Sequence, residues 1–201
     1  MPRTADASAL AREQRKAAIV TAAARVFARK GLAGTKIADI AAEAGMSIGL
    51  IYRYFSGKDE VFALLVEQTM GGSAEAARQA LAHGGSAWER LEWFTAQLLP
   101  YQYQQPECSL VVLHALTSDA VPAAVRKTVL EQNRAMFYTI QRLIAEGQDE
   151  GSVVRGNADH LAYVFLSAIY GLAASTAFVG DEQVDFPDVA SVLLMLRADH
   201  A

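Results

Sequence analysis

The side chains best able to make polar contacts crowd into one short run, SIGLIYRYF at residues 47–55. Arg53 carries a guanidinium that can donate a fork of hydrogen bonds to a guanine edge or neutralise a phosphate. Tyr52 and Tyr54 can turn their hydroxyls to phosphate oxygens while the rings rest against a groove wall. Gly49 lets the backbone come close to a duplex, and Leu50 can touch a thymine methyl. At about 100° per residue, Ile51 and Phe55 lie about 40° apart on an inward face of such a helix. Arg53 then points directly opposite and Gly49 nearly so, with Leu50 and Tyr52 beside them. Ile48 sits nearer the buried flank, which leaves its role open. For the two tyrosines the competing use is half-buried packing against the first helix, since tyrosine is intermediate in burial.

Groups suited to phosphate flank this run. Thr35 and Lys36 open the helix before it, and free amides at a helix start attract anions. Lys58 opens the helix after it, where a lysine opposes its own helix dipole and an external anion would explain its presence. Arg12, Arg15 and Lys16 raise the same objection at the first helix, the alternative being a solvated cationic end. The net charge of −4 over 201 residues hides this concentration. Residues 1–58 hold ten Lys/Arg against four acids, a net +6, and residues 59–201 hold eight against eighteen, a net −10. A basic head on an acidic body implies a polyanionic partner for the head.

The elements that must position these groups read as helices, with no strand pattern and no long repeat. A first helix fits 12–30, its apolar face formed by Ile19, Ala22, Ala23, Val26 and Phe27 and its end set by Gly31. Thr35 is expected to cap a second at 36–44, stopped by Gly45, and Ser47 a third at 48–55. Ser56, with Asp59 three residues on, has the capping-box pattern for a fourth running toward Met70. GGS triplets at 71–73 and 84–86 look like joints bracketing a short helix. Further helices are expected at 86–103, 107–118, 122–150, 158–179 and 187–198, with Pro106, Pro122 and Pro187 at their starts. The total is nine or ten helices and no sheet.

Helix, three-residue break, helix over 35–55 has the dimensions of a helix-turn-helix, whose second helix enters the major groove. From about Arg12 to Met70 the chain resembles the N-terminal domain of the TetR/AcrR family of bacterial transcriptional repressors. The matching stretches are AAIVTAAARVFARKG (17–31), TKIADIA (35–41), AGMS (44–47) and IYRYFSGKDEVF (51–62). The resemblance implies an all-α protein: a three-helix DNA-binding head, an all-helical C-terminal domain that binds an inducer, and a homodimer formed through the last two helices. On this sequence it divides the chain into a flexible arm (1–11), the head (12–57) and a ligand-binding and dimerisation domain (58–201). It also implies DNA contacts at Thr35, Lys36, Ser47, Gly49, Leu50, Tyr52, Arg53, Tyr54 and Lys58. At Ala38 many members carry a longer polar side chain that can reach a base, so fewer contacts are expected from the second helix here.

The body must be read from composition. Its aromatic residues are mostly core, and some can line an apolar cavity with a few polar groups. The candidates are Phe94, Gln97, Tyr101, His114, Asn133, Phe137 and Tyr163, and sparse inward charge favours a neutral or apolar ligand. Residues 161–180 pass without a charge, long enough to span a bilayer. No Lys/Arg cluster flanks them and an acidic loop (Asp181, Glu182, Asp185) follows, so a helix buried all round is expected instead. Ser167, Gly171 and Ser175 at four-residue spacing would let another helix approach closely. With Leu193 and Leu196 they are the expected dimer contacts, and the two-fold would set recognition helices roughly 34–36 Å apart, or a multiple of that.

Other classes fare worse. His83, His114, His160 and His200 are too far apart for a paired metal motif, Cys108 stands alone, and no nucleophile-elbow or phosphate-loop pattern occurs. No enzyme, cofactor or metal is therefore expected. The opening MPRTADASALAREQ lacks the apolar core of a signal peptide, which points to the cytoplasm. The expected partners are double-stranded DNA, a small-molecule inducer and a second copy of the chain, with no membrane.

Overall fold

The computed structural model describes residues 3–179 and 186–198. The helices are α1 (Arg3–Gly34), α2 (Ile37–Glu43), α3 (Ile48–Tyr52), α4 (Lys58–Ala82), α5 (Ala87–Gln104), α6 (Pro106–Thr117), α7 (Ala123–Asp149), α8 (Ala158–Val179) and α9 (Val189–Leu193). A 3₁₀ turn, Leu194–Leu196, follows α9. Among the described residues the one ladder contact is an antiparallel bridge between Val153 and Arg197, tying the loop after α7 to the end of the chain. The acidic loop at 181–185 lies outside the described residues.

Several boundaries differ from the sequence reading, each for a local reason. Helix α1 begins at Arg3, so residues 3–11 are helical where an arm was expected. Its helical run breaks at Gly31, which takes φ 65°, a conformation that costs a residue with a Cβ roughly 1–2 kcal/mol. Lys36, not Thr35, is the N-cap of α2, and its backbone N–H donates to the Asp39 carboxylate at 2.8 Å. Ser47 does cap α3, its Oγ accepting from the Leu50 N–H at 3.2 Å, but the regular helix stops at Tyr52. Glu60 takes the role expected of Asp59: it accepts from both the Ser56 N–H and the Ser56 hydroxyl at 2.7 Å, and Gly57 is the N-cap residue.

The triplet at 71–73 is not a joint. Helix α4 runs through it because its buried stripe continues unbroken through Val66, Met70, Ser73, Ala77 and Ala80. Ser73 bonds back to the Thr69 carbonyl and Thr69 to that of Leu65, so both hydroxyls are satisfied inside the helix. The triplet at 84–86 does break the chain. Gly85 takes φ 103° and Ser86 forms a capping box with Glu89 at the start of α5.

Two apolar cores share α4. The first joins α1, α2, α3 and the first half of α4 through Ile19, Phe27, Ile40, Ile51, Phe55 and Phe62, and takes in Cys108, Val111 and Ala115 of α6. Phe27 and Phe62 meet edge to face at 5.1 Å, pinning α1 to α4. The second core joins the end of α4 to α5, α7, α8 and α9 through Leu91, Phe94, Ile140, Leu143 and Phe165. The head is therefore packed onto α6 as well as α4.

Helix α8 is not buried all round: Tyr163, Val164, Ser167 and Gly171 form an exposed side while Ala162, Phe165, Leu166 and Ile169 are buried. Among the described residues no helix is long and apolar enough to cross a membrane.

Candidate nucleic-acid interface

The angular reading of residues 47–55 can be set directly against burial. Ile51 is fully buried and Phe55 2% exposed, so both enter the head core. Ser47, Ile48, Gly49, Tyr52 and Arg53 are exposed, and Leu50 is half-buried. Ile48 faces outward, at 47% exposure. Tyr54 is half-buried and packs against the head core, so of the two tyrosines only Tyr52 presents most of its ring to solvent. The α2–α3 turn depends on Gly45 at φ 63°. A Cβ built on Gly49 meets no protein atom within 4 Å. Nothing inside the subunit requires a glycine there.

The flanking residues divide. Lys36 is exposed at the start of α2. Thr35 is only 1% exposed and its hydroxyl donates to the Gly31 carbonyl at 2.7 Å, so its side chain faces the protein and not a duplex. Lys58 is also committed inward. Its ammonium donates to the carbonyls of Leu32 (2.8 Å), Ala33 (3.3 Å) and Thr35 (2.9 Å), at the end of α1 and just beyond it. An internal anchor explains this lysine, and the external anion inferred from the dipole argument is not needed.

The same sorting applies to the rest of the head's positive charge. Arg25 and Arg29 pair with Glu43 at 3.7 and 2.7 Å, and Lys30 pairs with Asp39 at 2.8 Å, stitching α1 to α2. The Arg29 hydrogen bond holds the Glu43 carboxyl below its ordinary range, and the Lys30 hydrogen bond followed by the Lys36 N–H does so for Asp39. Lys16 lies 5.9 Å from the centre of the Phe55 ring. Arg12 and Arg15 are nearly three turns into α1, which removes the objection from its dipole.

In the body, one apolar cavity of about 330 Å³ lies between α4, α6, α7 and α8. Met70, Leu110, Leu113, Leu116, Val129 and Tyr170 form most of its wall, with Ser109, Asn133 and Ser167 as polar points. No Lys, Arg, Asp or Glu lines it. The Tyr170 phenol, pushed up to about 12 by burial, stays neutral and donates to the Met136 sulfur at 3.4 Å. Of the seven candidates only Asn133 reaches this cavity. Gln97 and Tyr101 line a separate, more polar groove between α4 and α5. Phe94 is wholly buried in the second core. Phe137 and Tyr163 meet at 4.5 Å with their rings tilted by 46° on the α7–α8 surface, and His114 is half-buried with its Nδ1 unpartnered among the described residues. The sequence held one usable signal for the missed residues. Helix α6 is apolar on two faces, Cys108, Val111 and Ala115 against Leu110, Leu113 and Leu116, and both faces must be covered.

The expected dimer contacts also divide. Ser167 and Gly171 are exposed and Ser175 is half-buried. Leu193 and Leu196 are fully buried within the chain and cannot meet a second copy, whereas Leu194 (68%) and Met195 (38%) are exposed beside them.

Comparison with known proteins agrees with this arrangement. Residues 19–65 match the family described as bacterial regulatory proteins, tetR family. The uncharacterized HTH-type transcriptional regulator YfiR of Bacillus subtilis is 26% identical over 182 residues, spanning 89% of this chain and 88% of that protein. The HTH-type transcriptional repressor SCO4008 of Streptomyces coelicolor is 48% identical over 58 residues, 29% of this chain and 30% of its own length. The crystal structure of the MbdR regulator from Azoarcus sp. CIB superposes with a TM-score of 0.77 at 24% identity, covering 90% of this chain and 97% of that one, a likeness of fold.

Proposed function

We propose that this chain, which belongs to the TetR family of bacterial regulatory proteins and is a DNA-binding transcriptional regulator, acts as a repressor released by a small, largely apolar ligand. Two copies grip a pseudo-palindromic operator and block transcription. In each head Ser47, Ile48, Gly49 and Leu50 meet base edges in the major groove, and Lys36, Tyr52 and Tyr54 meet phosphates beside it. Thr35 and Lys58 hold the break between α1 and α2 in place and act on DNA only by positioning it.

The observation that carries the release step is the double role of α6. Its Cys108, Val111 and Ala115 are buried in the head core, and its Leu110, Leu113 and Leu116 wall the uncharged cavity. A ligand seated there acts on the helix against which α1 packs. Cores are close-packed, so a displacement of α6 is passed on and not absorbed. The ligand shifts the balance between DNA-competent and released states only by its difference in affinity for the two. A cavity without charge favours a ligand that is neutral where it is buried, oriented by the Asn133 amide. The exposed side of α8, together with Leu194 and Met195, is the surface offered to the second copy.

Selection of bound sites from random duplexes tests the first half of this reading, with a two-fold symmetric consensus expected. An asymmetric consensus, or no enrichment, refutes it. Apolar compounds that raise the melting temperature should then release the selected site, because binding to the native state alone stabilises it. Stabilising compounds that leave the DNA complex intact refute the release step.

A further inference from the structure

The geometry points to a phosphate clamp made by Arg12, Arg15 and Arg53, which holds the DNA backbone at the edge of the half-site and reads no base. The inference rests on the DNA-binding reading above and deepens it, since it gives Arg53 a role that its sequence position left open.

Three observations converge on it. The guanidinium-bearing residues Arg12 and Arg15 of α1 and Arg53 at the end of α3 line a single surface concavity of about 440 Å³, with Tyr54 completing the wall. Among the described residues none of the three arginines has an ion-pair partner, while Arg25, Arg29 and Lys30 on the same helix are paired to carboxylates. The third is the pattern of α1 itself. At about 100° per residue, Arg12, Arg15 and Lys16 fall on the same side as Ile19, Ala22, Ala23, Val26 and Phe27, which are buried. The stripe that makes the head core therefore turns cationic where α1 runs out beyond α3.

Three like charges around one hollow repel one another, and the fold has no need of them there; a bound anion removes the repulsion. Planar guanidiniums match the oxygens of a phosphate diester through paired N–H donors. Tyr54, half-buried, can add its hydroxyl to the same anion. Arg53 is also the C-cap of α3, the end remote from Ser47, Ile48 and Gly49. The N-terminal residues of a recognition helix contact base edges, and contacts at its flanks go to the backbone.

The test compares wild-type protein with Arg12→Gln/Arg15→Gln and with Arg53→Gln, on the site selected from random DNA and on a random duplex, across a salt series. Both variants are expected to bind the two DNAs more weakly by the same factor, about tenfold at moderate salt. The slope of log affinity against log salt should fall by about 0.9 for each head that loses its phosphate. Melting temperatures should equal or exceed that of the wild type, because repulsion is relieved. Millimolar inorganic phosphate at constant ionic strength should leave the DNA complex intact; displacement of DNA would assign the hollow to a free anion and overturn the clamp. A change in preferred base for Arg53→Gln makes it a base reader and overturns the clamp too. So does an unchanged salt slope, or a clear fall in melting temperature. If the wild-type protein binds no DNA at all, the functional reading falls along with the clamp, an outcome distinct from variants that bind like wild type.

Discussion

Replacing Lys58 with methionine separates two accounts of one residue. Met keeps most of the aliphatic stem and removes the ammonium that donates to the carbonyls of Leu32, Ala33 and Thr35. Hydrogen bonds from a charged donor contribute about 1.5–3 kcal/mol each when isolated. Here the three share one donor, and the site is partly open, so water can replace part of what is lost. A net destabilisation of about 2 kcal/mol is expected, toward the lower end of that range. For a chain of this size it lowers the melting temperature by about 4–8 °C. Because the α1–α2 connection also sets the angle of α2, operator affinity should fall while the salt slope of binding stays at the wild-type value. Thermal unfolding followed by circular dichroism gives the first quantity, and a salt series of fluorescence-anisotropy titrations gives the second. A melting temperature unchanged from wild type, with a slope reduced by about 0.9 per head, would assign Lys58 to a DNA phosphate and refute the anchor.

Other substitutions probe the head and body separately. Gly49→Ala meets no protein atom and should stabilise the fold by up to about 1 kcal/mol, yet weaken operator binding about tenfold by keeping the backbone off the duplex. Unchanged affinity in anisotropy titrations counts against a DNA-facing Gly49. Gly45→Ala, at φ 63°, should cost about 1–2 kcal/mol, read as a lower melting temperature, with DNA binding lost in proportion to the heads unfolded. Asn133→Leu should abolish release by any ligand that stabilises the wild type while leaving operator binding intact; retained release would show that the Asn133 amide does not orient the ligand.

Acid titration offers a further check. Asp39 and Glu43 have carboxyls lowered in the folded head by Lys30 and Arg29. Groups depressed on folding add stability above their unfolded values, and it is lost as pH falls through the folded ones. Stability should therefore hold at neutral pH and decline as pH drops below the ordinary values of 4.5 and 3.8. Asp39→Asn/Glu43→Gln should flatten that decline in urea titrations at stepped pH; an equally steep decline would remove these pairs as its cause.

The sequence by itself determined the helical class, the helix-turn-helix and the facing of its second helix, because all three follow from local rules. Period sets which side chains share a face, Ser47 caps its own helix, and Gly31 and Gly45 mark the left-handed positions. The angular rule put Ile51 and Phe55 inside and Arg53 outside without any knowledge of the neighbours. Tertiary structure alone decided the partners. Lys58 and Thr35 look like surface groups until residues about 25 positions away supply Lys58 with carbonyls. Gly71 and Gly72 look like a hinge until packing along α4 outweighs their backbone entropy. Leu193 and Leu196 look like dimer contacts until the fold buries them in the chain's own core, leaving Leu194 and Met195 outside. Capping and periodicity act within a few residues. Charge pairing, cavity walls and the choice between core and interface depend on chain segments far apart in sequence, which only the assembled fold brings together.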